Sequence, residues 1–447
     1  MENIIDISLS SERSVIALST ICVVGWMIYV RKHIILRRND HSSSPNDDSK
    51  PLIRTLATFG VGSLVYCMSS LVCDPNIVTL LKHCAHAIFV LCFFVFFLLF
   101  KPDHTTFKNI PKVHLCFTVL ISVTTWTWLG IAITPMIFIE PYENETYVTR
   151  CNVTLIHDVS GHWNCSVSAT MIEMLCDPFY IEFPTIVILF LISQWLTTIS
   201  HSLHMPLRTR LPFDSAWSSP SNARFYKPLY VATILLSISF AVIYVLALRF
   251  YQQQLHEDVY TIIKLIVRII VIVPMIAMTY QLRACRDHSN YPISASETVL
   301  IITTCSDVLW FMFRFISSAA CINLDDQVTA LATTVMCYAF LSVVQPVIQT
   351  KLFLDLRRKR KPLYLKNFLI FFAAFNFASW INRGLDHSIS KGSPLTITPF
   401  VNALFGQYIT RILLLLILPV MNLFRFHAGM VAIELIQEPK TEQSGSD

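Results

Sequence analysis

The stretch VYTIIKLIVRIIVIVPMIAMTY, from Val259 to Tyr280, decides the fold. It is apolar over the roughly 20 residues that a helix needs to cross a hydrocarbon core about 30 Å thick. Its charges are Lys264 and Arg268, four residues apart and therefore on one helical face. Working outward, comparable runs recur along the chain: Ser14–Val30, Thr55–Val72, Ile77–Phe100, His114–Thr134, Phe179–Ile199, Pro228–Phe250, Thr298–Ala320, Val328–Leu352, Leu363–Trp380 and Phe400–Leu423. The composition agrees. Of 447 residues, 54% are hydrophobic and 14% charged, where a soluble domain carries about 25% charged residues. The expectation is an all-α polytopic membrane protein with about eleven transmembrane helices in two halves.

Orientation follows from where Lys and Arg collect. Arg31, Lys32, Arg37 and Arg38 follow the first run, whereas Glu2, Asp6 and Glu12 precede it, so the N-terminus is expected outside. The same acidic start lacks the basic region of a secretory signal peptide, which makes Ser14–Val30 a retained helix. Basic links then recur on the inner side: Lys101, Lys108 and Lys112; Arg208, Arg210, Arg224 and Lys227; Arg283 and Arg286; and Arg357 to Lys361. An odd number of crossings places the C-terminus in the cytoplasm.

Three glycosylation acceptors, Asn144, Asn152 and Asn164, fall in one loop that the charge rule had assigned to the outside. Residues 1–227 then form an N-terminal half of five spans with a glycosylated outer loop at 135–177. Residues 228–437 form a C-terminal half of six spans, and 438–447 a short cytoplasmic tail. Asn39–Lys50 and Phe213–Asn222, rich in Ser, Pro, Asp and Asn, read as inner linkers. Cys151, Cys165 and Cys176 fall in the outer loop, where an oxidising exterior permits a disulfide, although free thiols are an equal reading. The remaining cysteines lie mainly in apolar runs and read as small hydrophobes.

The net charge of +5 is spread over interhelical links, not gathered into a stripe, which argues against nucleic acid. No metal-ligand spacing and no clustered nucleophile and base occur, so neither a cofactor nor an enzyme is expected. Glycine is scarce, ten in all, which leans against transporters that unwind helices around a central substrate.

Ionisable and amide groups inside spans are costly, and each is a functional candidate. Glu182 stands near the outer end of its span beside Pro184, where it either carries function or reaches outer water. Lys264 and Arg268 either pair with acids such as Asp307 or snorkel outward. Asp307 and Arg314 share a side of another span and suit an ion-pair network. His83 and His86 either sense protons near neutral pH or serve as polar anchors. Gln345 and Gln349 share a face, with Asn376 a fitting partner. His427, beside Arg425, ends the last run. Isolated groups of this kind suit a channel or transporter for protons.

Several strings resemble the otopetrin proton channels: Phe59 to Leu64 (FGVGSL), His83 to His86 (HCAH), Asp177 to Phe183 (DPFYIEF), Gln349 to Leu354 (QTKLFL), Asn376 to Trp380 (NFASW), and Pro419 with Arg425-Phe426-His427. They run in order across nearly the whole chain. The resemblance implies a passive, acid-responsive proton channel of the cell membrane, with protons as permeant ion, membrane lipid including sterol as surroundings, and a second copy of the chain as partner. It also makes His83 and His86 candidates for pH or zinc sensing, and marks Glu182, His427, Gln349 and Asn376 as pathway residues, with Tyr408 completing a polar triad. It further implies that one N-terminal helix of the family is missing. Val90, Val119 and Phe183 then stand where the N-terminal triad would be, and Cys67 where an acid would be. A proton-coupled secondary transporter and a non-conducting relative are the alternatives.

Overall fold

The computed structural model describes residues 50–73, 77–99, 110–137, 167–202, 223–253, 257–283, 294–322, 326–358, 365–390 and 399–437. Among these residues the structure is helical without strands. In chain order the helices are α1 Lys50–Cys73, α2 Ile77–Leu99, α3 Ile110–Ile137, α4 Val167–Ser202, α5 Ala223–Gln253 and α6 Glu257–Arg283. They continue with α7 Ala295–Ala320, α8 Asp326–Arg358, α9 Leu365–Ser390, α10 Pro399–Phe405 and α11 Gln407–Gln437. Helices are what lipid demands, because each N–H and C=O finds its partner within the segment.

Seven of these helices are long and apolar enough to cross a membrane, over Leu52–Leu71, Leu175–Leu196, Tyr230–Leu248, Val259–Arg283, Ser296–Ala320, Thr329–Arg357 and Leu416–Ile436. Shorter apolar stretches occupy Leu80–Phe94 and Phe117–Leu129. The sense of burial agrees with lipid as solvent. In α5 Leu235, Leu236, Val242, Ile243 and Leu246 are exposed, and 17% of its apolar stretch is buried. Charged and amide side chains lie inside instead: Arg268, Asp307, Gln345 and Arg425 are all buried. The chain is a helical membrane protein. The first expected span, Ser14–Val30, and the acceptors Asn144, Asn152 and Asn164 lie outside the described residues.

The residues form two compact units. Leu56–Thr198 belong to the first, and Ile199 onward, with the start of α1 through Thr55, to the second. In the first unit aromatic rings fill the space between helices: Phe59 meets Phe179 edge-on at 5.1 Å, and Phe89 meets Phe93 at 4.9 Å. Gly62 permits this approach, since a methyl group there would overlap the Phe179 ring. In the second unit α7 packs on α8 and α11, α8 on α6, and α9 on α5 and α11. Its core joins Leu352, Phe353, Phe372 and Phe375 to Phe424 and Val431.

Three sequence expectations are corrected. First, α4 begins at Val167, so Cys176 is a helical residue with a free thiol and not a loop cysteine; Cys151 and Cys165 lie outside the described residues. Second, the apolar stretch of α4 begins at Leu175 and not at Phe179, so Glu182 lies seven residues, about 10 Å, inside it. Third, the run Phe400–Leu423 is not one helix. Gly406 adopts φ 78°, a left-handed value that separates α10 from α11. Helix α11 then continues past Leu423 to Gln437 through Ala428, Met430, Val431 and Ala432. His427 is therefore deep in a span and not at its end.

Candidate functional site

Five helices of the second unit deliver polar side chains to one buried place. Asp307 of α7 has no exposed surface, and its two oxygens face Arg425 of α11 at 2.8 Å and Arg383 of α9 at 2.9 Å. Arg268 of α6 donates to Gln345 Oε1 of α8 at 2.7 Å, and Arg425 donates to the same oxygen at 2.5 Å. Gln345 Nε2 donates in turn to Gln349 Oε1, one turn along α8. Aromatic faces take up part of the remaining charge. Phe375 lies under both Arg268, at 5.4 Å, and Arg425, at 5.9 Å, and Phe311 lies under Arg383 at 5.4 Å. Contacts of this kind are worth about 0.5–2 kcal/mol each.

The spacing of these groups is helical. On α8, Ser342, Gln345 and Gln349 are fully buried at i, i+3 and i+7; on α9, Asn376 and Ser379 are buried and Arg383, at the same spacing, is partly buried. Each stripe covers about 10 Å along its helix axis. The stripes are not closed upon themselves. Gln349 Nε2, a donor, and Asn376 Oδ1, an acceptor, are both buried without partners, as are the hydroxyls of Ser342 and Ser379. Asn376 spends its amide on the Phe372 carbonyl of its own helix at 2.7 Å, so the expected bond to the glutamines is not made. A buried unsatisfied group costs about 1–3 kcal/mol. Water is the smallest molecule that satisfies donors and acceptors together.

His427, also of the second unit, is fully buried. Its Nε2 lies 3.1 Å from the Ser296 carbonyl and 3.3 Å from the Ser296 hydroxyl, and the carbonyl is satisfied when Nε2 carries the proton. Nδ1 then accepts from the Thr55 hydroxyl at 3.5 Å. A hydroxyl can rotate to accept instead, so this pair tolerates either protonation state of the ring. Nearby, Ser294 caps α7 in a capping box with Glu297, and Arg357 binds both the Ser294 hydroxyl and Glu434.

In the first unit His86 is fully buried and its Nε2 lies 2.8 Å from Ser63 Oγ. Tyr180 packs on His86 at 4.3 Å and stacks on Tyr66 at 4.6 Å, while His83 lies 6.0 Å from both tyrosines. Both histidines are thus buried in the core of this unit. Among the described residues no three His, Cys, Asp or Glu side chains converge as metal ligands. Asp177 and Glu182 are buried in this unit as well. Val90 and Phe183 are fully buried, with Phe183 set among Phe89 and Phe94, whereas Val119 is half-buried.

The remaining sequence candidates divide. Lys264 turns to the Tyr260 hydroxyl on its own helix, and Arg314 lies over the Tyr338 ring at 5.6 Å. Of the expected ionic group, Asp307 keeps its role but takes Arg383 and Arg425 as partners. The side chain of Tyr408 lies outside the described residues. Sequence reading passed over Arg383 altogether. The signal for it was present: apolar Ile381 and Leu385 flank it, so the helical pattern does not stop at Trp380. No family model matches the chain, and no curated protein matches it.

Proposed function

We propose that this chain is a proton channel of the cell membrane resembling the otopetrins, passive and free of cofactors, with about eleven spans, the N-terminus outside, and a homodimeric state. The observation that carries the reading is the pair of buried polar stripes on α8 and α9, each with unpaired amide or hydroxyl atoms. Protons, unlike hydrated metal ions, move along hydrogen-bonded side chains and single waters without a wide pore. His427 with its rotatable Thr55 partner, and Glu182, add titratable groups at depth. The apolar side chains of Val90 and Phe183, both fully buried, favour conduction through the second unit over the first.

The test is whole-cell recording while outside pH is lowered in sodium-free solution. A channel gives inward current that follows the proton gradient with no added solute. A proton-coupled transporter gives none until its solute is supplied. Absence of both current and internal acidification, with the protein verified at the surface, would leave a non-conducting relative.

A further inference from the structure

We propose that the arginine cluster of the second unit binds a small monovalent anion, chloride being the natural occupant. Arg268, Arg383 and Arg425 bring three guanidinium charges together, and Asp307 is the one carboxylate with which they pair among the described residues. Two positive charges are therefore unmatched in a place where Arg425 and Asp307 have no exposed surface, Arg268 has 3% and the Arg383 side chain 12%. Uncompensated charge at such burial is strongly unfavourable, and a guanidinium does not escape by losing its proton.

The existing partners do not close the gap. Gln345 offers one oxygen to two arginines and is neutral. Phe375, Phe311 and Phe424 present ring faces, with Phe424 5.0 Å from Arg425, and Tyr338 lies 5.8 Å from Arg268, but the phenyl rings carry no net charge and neither does a phenol. Two N–H groups point to what is needed. Arg425 Nε and Arg383 Nη2 are both buried and have no acceptor. Water would satisfy these donors and leave the charge. A carboxylate or phosphate ester would satisfy the charge but is bulkier than a halide, which matters in a close-packed interior. A halide-sized anion supplies an acceptor for such N–H groups and lowers the charge in one step. The proposal stands whether or not the chain conducts protons.

The test is thermal unfolding of the purified full chain in detergent, titrating sodium chloride against sodium gluconate at constant ionic strength. Constant ionic strength removes general screening. The melting temperature should rise saturably with chloride by on the order of a few degrees. Bromide and nitrate should replace chloride; gluconate and sulfate should not. Arg383→Gln, which leaves the Asp307–Arg425 pair intact, should remove the chloride response at least tenfold in midpoint concentration. Binding of radioactive chloride to the wild-type chain gives an independent readout should that variant fail to fold. A melting temperature indifferent to the anion, no retained chloride, or an undiminished response in folded Arg383→Gln would each overturn the proposal.

Discussion

At the scale of single residues, Asp307 holds the greatest energetic weight. It is the carboxylate on which Arg383 and Arg425 converge, and removing one partner of a buried pair costs about 3–5 kcal/mol because the other charge is left bare. Asp307→Asn should therefore lower the melting temperature of the purified protein more than Lys264→Gln, whose ammonium meets a neutral tyrosine hydroxyl. Equal melting of the two variants would show that the carboxylate is not central. Glu182 tests function instead of stability. Glu182→Gln retains shape and hydrogen-bonding capacity while removing the titratable group, so acid-evoked current should change at unchanged surface expression. These residues were unequally visible in the sequence. Glu182, Asp307, Gln349 and Asn376 stand out as polar groups within apolar runs. Arg383 was hidden because it lies just beyond Trp380, where the run was judged to end, and Arg425, just beyond Leu423, was read only as a neighbour of His427. Reading inward charges as boundaries fails wherever helices shelter them from lipid.

At the scale of elements, apolar runs show well where helices are, because lipid leaves few other solutions for the backbone. They show poorly where helices bend or stop. Nothing in the run from Phe400 to Leu423 distinguishes Gly406 from a packing glycine, since both need only the missing Cβ. Its φ of 78° is a property of the chain path: the Gly406 N–H still bonds the Asn402 carbonyl at 2.9 Å, while its own carbonyl receives the Thr410 N–H at 3.1 Å. The break thus joins two helices without orphaning the backbone at that point. A side chain would strain this conformation by about 1–2 kcal/mol, although space around the position is open. Gly406→Ala should accordingly lower stability by that amount in equilibrium unfolding, and Gly406→Asn by less, because Asn tolerates the left-handed region better. A stabilising alanine would show that α10 and α11 prefer to run on as one helix.

At the scale of the whole molecule, the two compact units are chemically unlike. The described part of the first buries Val90 and Phe183 where the resemblance to the otopetrins would put polar groups, and its His83 and His86 pack with Tyr66 and Tyr180. The second buries amides, hydroxyls and arginines in stripes at helical spacing. If protons take the second route, a substitution there should act on current and a polar graft in the first should not. Gln349→Leu keeps the side chain's bulk but removes both the acceptor for Gln345 and the unpaired donor, so it should reduce acid-evoked current per surface molecule by about tenfold or more, the scale of a 1.4 kcal/mol barrier. Val90→Gln places an amide at a fully buried apolar position, where leaving it unsatisfied costs about 1–3 kcal/mol, and should lower surface expression without raising current. The comparison is informative because the two changes are chemical opposites. Loss at position 349 with no gain at position 90 assigns conduction to the second unit, whereas a gain at position 90 would mean that the first unit needs only one polar group to admit water.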